Sequence, residues 1–201
     1  MAPTTRTAEG LDRKTALVQA AYRAIAAEGF EGLRTRDVAD EAGVNVATLH
    51  YYFPTKEQLI RGVVEYTMGR FRSTLESRAA SSDQLRSHLH AVRRLIKNEP
   101  QLGIVMGELA LRSARDPAIA RIMEEANGAW HRTLRALLKR AAREGSVHPE
   151  LDTDDVAALL MATLTSMTLP TVASGPRIDQ ALRQLERWLG VNRSPAQQLI
   201  D

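Results

Sequence analysis

Apolar residues recur at three- and four-residue steps along almost the whole chain, the spacing that lines one face of a helix. Leu17, Val18, Ala21, Tyr22 and Ile25 make the first such stripe, which predicts a helix from about Asp12 to Glu28, stopped by Gly29. Phe30 and Leu33 anchor a connector. A short second helix is expected from Thr35, whose hydroxyl is placed to cap the free amides. Asp37 falls in its first turn, where the helix dipole favours an acid, and Val38, Ala39 and Ala42 face inward. Gly43 suits a turn with positive φ, and Asn45 suits the cap of a third helix, Val46 to Tyr52. Pro54 ends that helix. Thr55 and Gln58 then form a capping box that opens a fourth helix, carrying Leu59, Val63, Tyr66 and Phe71 and reaching to about Ala79.

Beyond Ser81 the pattern stays helical. Helices are expected over Asp83 to Lys97, stopped before Pro100, and over Leu102 to Ala114. Asp116 and Pro117 open a long one to about Arg143, closed by Gly145. Asp152 or Thr153 caps the next, to Leu169 before Pro170. A loop at 174–176 leads to the last, Arg177 to Leu189, ended by Gly190. No strand, repeat or low-complexity block interrupts this series. The fold class is therefore all-α, with about nine helices: an N-terminal three-helix helix-turn-helix domain and a C-terminal helical bundle. The expected divisions are a disordered tail over 1–10, the helix-turn-helix domain over 11–56, a second domain over 57–190 and a C-terminal tail over 191–201.

Composition narrows the function classes. The 201-residue chain is 44% apolar, enough for a real core, and it has no cysteine, which removes disulfides, thiolate metal sites and cysteine nucleophiles. No segment has the apolar run of a signal peptide or a membrane span, so a cytoplasmic, non-membrane location is expected. The net charge of +3 is spread evenly, with ten Lys and Arg against nine Asp and Glu in residues 1–72. Bulk charge alone does not point to nucleic acid. Locally, however, Ala42 to Lys56 holds no acid, and its only potential cations are His50 and Lys56. Such a surface suits an approach to phosphates. Aromatics gather in the same region, with Tyr51, Tyr52 and Phe53 consecutive.

Short helix, glycine turn, short helix, proline stop is the grammar of a DNA-reading helix-turn-helix. Val46, Ala47 and Thr48 are small enough for a helix to sit deep in a major groove. The first two can press on thymine methyls, and Thr48 can reach a base or a phosphate. His50, Tyr51 and Tyr52 carry polar tips on flat rings that can meet phosphate oxygens. Lys56 stands at a helix start, where its charge and the free amides can grip a phosphate together. Arg36 has the fork that matches guanine O6 and N7. Leu49 and Phe53 read as core.

Gly29-Phe30, Leu33-Arg34-Thr35, Val38-Ala39, Ala42-Gly43-Val44, Thr48-Leu49, Tyr51-Tyr52-Phe53 and Lys56-Glu57-Gln58-Leu59 together closely resemble the N-terminal DNA-binding region of the tetracycline-repressor (TetR) family of bacterial regulators. The resemblance covers about the first 70 residues; the rest matches the family in helical layout and length. It implies that Thr35 and Lys56 hold phosphates, that Arg36 reads a base, and that Asn45, Val46, Ala47, Thr48, His50, Tyr51 and Tyr52 form the recognition surface. His50 departs from the family, where Tyr is more usual; it could add a pH-sensitive phosphate contact or simply pack. Asn45, where Ser is common, is a conservative cap change.

The resemblance further implies a C-terminal domain that binds a small molecule and dimerises through its last two helices. The stretch Ala157 to Met167 is apolar on nearly all sides and needs cover on every face. Dimer candidates are Ala158, Met161, Ala162, Thr165, Leu182, Leu185 and Trp188; a buried central helix in a monomer is the alternative. Effector candidates are Met68, Leu102, Met106, Leu109, Met123, Trp130, Leu134, Met161 and Thr165, each of which could equally fill a core. Glu108 and His131 either orient a polar ligand or are satisfied within the fold.

The function implied is a homodimeric transcriptional regulator, expected to be a repressor, released from a palindromic DNA operator by a small apolar or amphipathic effector. The alternative is a helical interaction module of the same fold without DNA binding. No cofactor is expected. Against an enzyme, the chain has no phosphate loop, nucleophile elbow or HExxH spacing. His88 and His90 lie two residues apart on a helix, so their rings diverge and do not make a metal pair.

Overall fold

The computed structural model describes residues 5–75, 84–173 and 176–190, and among these the chain is all-α. The helices are α1 (Thr5–Glu28), α2 (Thr35–Glu41), α3 (Val46–Tyr52), α4 (Lys56–Ser73), α5 (Gln84–Asn98), α6 (Pro100–Ser113), α7 (Pro117–Arg143), α8 (Thr153–Ser166), the single turn α9 (Pro170–Ala173) and α10 (Arg177–Leu189). A 3₁₀ turn, Gly29–Gly32, joins α1 to α2. The expected glycine stops Gly29, Gly43, Gly145 and Gly190 all take positive φ.

Five local expectations need correction. First, α1 begins at Thr5 rather than Asp12, so Thr5–Gly10 is helix where a tail was expected. Gly10 is a single poor helix former, and one such residue does not break a long helix. Second, Thr35 does not cap α2; it is the first helical residue, the cap position is Arg34, and no side chain bonds there. Third, Pro100 opens α6 instead of merely ending α5, because proline's missing N–H costs nothing in a first turn. Fourth, α9 is an extra turn. Fifth, α4 ends at Ser73, with Thr74 and Leu75 in a turn, short of the expected Ala79, while the start of α5 at Asp83 and the tail 191–201 lie outside the described residues.

Asp116 accepts from the N–H groups of Ala118 and Ile119, and Asp152 accepts from those of Asp154 and Asp155, so both acidic caps form. The two amides at Asp152 hold its carboxyl below the usual range. Thr55 Oγ1 accepts from the Gln58 N–H at 3.2 Å and caps α4.

The described chain separates into two compact units. One runs through Gly69 and includes Ile104–Ala126; the other takes Arg70–Gly103 and the segment from Asn127 onward. This partition differs from the boundary expected at 56–57, because most of α4 and stretches of α6 and α7 belong with the helix-turn-helix. In the first unit, α1 packs on α2 and α2 on α3. Leu17, Ile25, Val38, Leu49, Leu59 and Val63 make its core. Tyr22 meets Tyr66 edge-on at 5.3 Å, tying α1 to α4. In the second unit, Leu89, Val92, Leu102, Leu134, Leu138 and Leu160 are fully buried. Glu186 of α10 is also buried there, its Oε1 2.7 Å from His90 Nε2 and 3.9 Å from Arg86 Nε, without hydrogen-bond geometry to either.

Candidate nucleic-acid interface

Seven residues suffice for α3 because both ends are fixed. Asn45 Oδ1 accepts from the Thr48 N–H at 2.8 Å and from the Thr48 hydroxyl at 2.9 Å. Leu49 and Phe53, 1% and 3% exposed, anchor the helix from below as expected. The opposite face is accessible: Asn45, Ala47, His50 and Tyr51 are exposed, and Val46, Thr48 and Tyr52 are half-buried. Tyr51 stands edge-on to Tyr52 at 5.1 Å.

The cap refines the role open to Thr48. Its hydroxyl proton goes to Asn45, so only its lone pairs remain. In this geometry Thr48 is placed to accept, which suits adenine N6 or cytosine N4.

Beside α3 lies an open notch of about 660 Å³ lined by Leu33, Arg34, Thr35, Arg36, Asp37, Val46 and Lys56. It gathers four of the sequence candidates, Thr35, Arg36, Val46 and Lys56. Three cations and one acid border it, and Asp37 is offset by Arg34 at 3.9 Å. The freed Thr35 hydroxyl has no cap to serve at this rim. Arg34 lines the same notch and was not singled out as a contact residue, although it sits inside the matching Leu33-Arg34-Thr35 run.

Several contacts hold this surface in place. Arg23 of α1 bonds Glu41 of α2 at 2.5 Å. Phe30 is gripped at both its backbone and its ring. Its N–H donates to Glu108 Oε2 at 3.1 Å, and its ring lies 5.2 Å from Lys56 Nζ and 5.0 Å from the Arg112 guanidinium. Arg61 of α4 pairs with Glu125 of α7 at 2.5 Å, which holds the Glu125 carboxyl below its ordinary range. Glu108 is therefore satisfied by the backbone of the connector. His131 lies 3.3 Å from the Asp154 carbonyl.

The effector candidates divide between the units. Met68, Leu109 and Met123 are buried and Met106 half-buried in the first; Leu102, Trp130 and Leu134 are buried and Met161 half-buried in the second. Thr165 is exposed, which removes it from any enclosed lining. On α8, Ala157, Leu160 and Leu164 face the core, while Ala158, Leu159, Ala162 and Thr165 face out. On α10, Trp188 is 64% exposed, whereas Leu182 and Leu185 are buried within the subunit. Those two leucines therefore belong to the chain's own core. Leu159, Leu169 and Val172 were missed and extend the outward apolar surface of this region.

Two protein families match consecutive parts of the chain. Bacterial regulatory proteins of the tetR family match residues 17–63, and the C-terminal region of BetI-type transcriptional repressors matches residues 81–191. The HTH-type transcriptional repressor KstR2 of Mycobacterium tuberculosis is 26% identical over 155 residues, 75% of this chain and 77% of KstR2. Among solved structures, a TetR-family transcriptional regulator from Rhodococcus sp. superposes with a TM-score of 0.78 at 23% identity, over 92% of this chain and all of the other. A transcriptional regulator from Saccharomonospora viridis, solved in complex with choline, gives a TM-score of 0.64 at 23% identity, over 89% and 96% of the two chains.

Proposed function

The chain belongs to the TetR family of bacterial transcriptional regulators, and we propose on that premise that it is a homodimeric repressor released from a palindromic operator by a small molecule. The observation that carries the DNA reading is the exposed N-terminal end of α3, set on the buried Leu49 and flanked by the cation-lined notch. Val46 and Ala47 enter the major groove against thymine methyls, and Thr48 accepts from a base amine. Arg36 reads a guanine edge. Thr35, Lys56 and the tips of His50, Tyr51 and Tyr52 hold the backbone. Asn45 sets the helix start through its cap on Thr48. Two such units, their recognition helices about 34–36 Å apart or near a multiple of it, address successive grooves of one duplex.

The repressor sense is supported by KstR2 and by the BetI-type match, both named as repressors. Choline in the Saccharomonospora regulator supports a small-molecule effector for this fold without naming the one used here. The outward faces of α8 and α10 support dimerisation. Release would follow if the effector prefers a state in which α4 tilts and the helix spacing changes. Glu108 and Arg112 on α6 and Glu125 on α7 are the handles by which such a shift reaches Phe30 and α4.

Full-length protein titrated against duplexes from the flanks of its own gene tests this. Binding should fall steeply as salt rises, because phosphate contacts release counterions. Arg36→Ala should flatten the preference between operator variants at one guanine by about 1–3 kcal/mol while sparing non-specific affinity. A protein indifferent to every duplex would instead be an interaction module on the same fold.

A further inference from the structure

His88 is the one buried histidine whose surroundings the DNA reading does not use. It lies on α5 with 1% exposure. Its ring leans on Trp130 at 5.6 Å and 50°, and Trp130 in turn meets Phe71 edge-on at 5.6 Å. His88 Nδ1 is 2.8 Å from Thr74 Oγ1, and that same hydroxyl lies 2.6 Å from the Phe71 carbonyl oxygen.

These distances assign the ring's protons. A carbonyl oxygen only accepts, so the Thr74 hydroxyl spends its single proton on Phe71. The hydroxyl must then accept from His88, which puts a proton on Nδ1. Burial pushes the imidazole pKa down to about 4, so the ring is neutral at ordinary pH and carries no second proton. Nε2 is left as a bare lone pair, buried and without a hydrogen-bond partner among the described residues. A buried acceptor is costly without a donor, which makes Nε2 a position that calls for one.

We propose that His88 Nε2 is the polar anchor of the effector site, accepting a hydrogen bond from a neutral, apolar molecule that bears a hydroxyl or N–H group and lies against Trp130. This rests on the effector-release reading above and adds the chemical class. A carboxylate is disfavoured, since it brings a second acceptor to a lone pair. A neutral alcohol, phenol or amide matches, and the aromatic surroundings favour a flat or aliphatic body.

Long-range ¹H–¹⁵N spectra of the labelled full-length protein read the tautomer directly, with the His88 signals assigned by their loss in His88→Phe. The probes are 2-naphthol and its methyl ether, identical except for the donor. The expected result is a protonated Nδ1, a saturable shift of the Nε2 resonance with 2-naphthol, and binding of the ether about tenfold weaker. His88→Phe should abolish the preference for the phenol. Thr74→Val, a near-isosteric change that frees the ring to move its proton, should reduce that preference. A proton found on Nε2 in the free protein overturns the proposal. So does a phenol preference that survives in His88→Phe, or an Nε2 resonance that no concentration of 2-naphthol moves. A saturable Nε2 response with unaltered operator affinity leaves the acceptor site standing and removes the regulatory reading instead.

Discussion

Phe30 offers its ring to two cations, Lys56 and Arg112, at 5.2 and 5.0 Å. Attraction to a ring face is weak at exposed sites, so Lys56 is held loosely enough to turn to a phosphate. Lys56→Ala should therefore lower operator affinity about equally for all sequences and reduce the slope of log affinity against log salt by about one, with thermal stability unchanged. Fluorescence anisotropy at several salt concentrations measures it; an unchanged slope would remove Lys56 from the phosphate contacts. His88 carries a different prediction. Its pKa is near 4 when folded and 6.5 when free, so between those values the unfolded chain binds a proton that the folded one refuses. Stability is complete above pH 6.5 and falls as pH drops toward 4. From pH 7 to pH 5 the loss should be about 2 kcal/mol in urea unfolding, and His88→Phe should remove most of that dependence.

Elements differ in how openly the sequence declares them. The helix-turn-helix was legible because its signals are local: Gly43 for the turn, Asn45 for the cap, Pro54 for the stop, Thr55 for the restart. Each acts within four residues and needs no tertiary partner. Thr35 misled because Ser and Thr serve both as caps and as first-turn residues, and only the backbone decides between them. The effector and dimer candidates were harder. Periodicity marks Leu182 and Leu185 as apolar but cannot say whether their own subunit or another covers them. The Glu108–Phe30 bond joins residues 78 apart in sequence, and no local pattern announces it. His88 was visible only as half of a His-x-His pair; its orphaned nitrogen depends on Thr74 and Phe71 across a helix junction. Another feature hidden from the sequence is the crossing at Gly103, where a Cβ would sit 1.9 Å from the Thr168 carbonyl oxygen. Gly103→Ala gains helix propensity but must drive that backbone apart. The clash wins, and a net loss of about 1–3 kcal/mol is expected in thermal unfolding. A gain in stability would mean that the crossing yields readily.

On the scale of the whole molecule, the outward apolar residues of α8 and α10 ask for cover. Leu159 is 49% exposed and Trp188 64%, each backed by a buried face that does not need it. Replacing either by an acid, Leu159→Asp or Trp188→Glu, should leave helix content intact, shift sedimentation from dimer to monomer, and weaken operator binding at least tenfold through loss of the second half-site. A variant that still sediments as a dimer would move the self-association surface elsewhere. The same residue has a practical consequence. The chain's two indoles stand in opposite surroundings, Trp130 enclosed beside His88 and Trp188 open to solvent. Their emission colours should differ, so one polypeptide carries two separate native dyes. Trp188→Phe should leave a lamp that dims or brightens if the proposed effector binds beside Trp130. If the proposed dimer forms, Trp130→Phe should leave one that shifts to the blue on association, and the two proposed events could then be timed independently in a single cuvette.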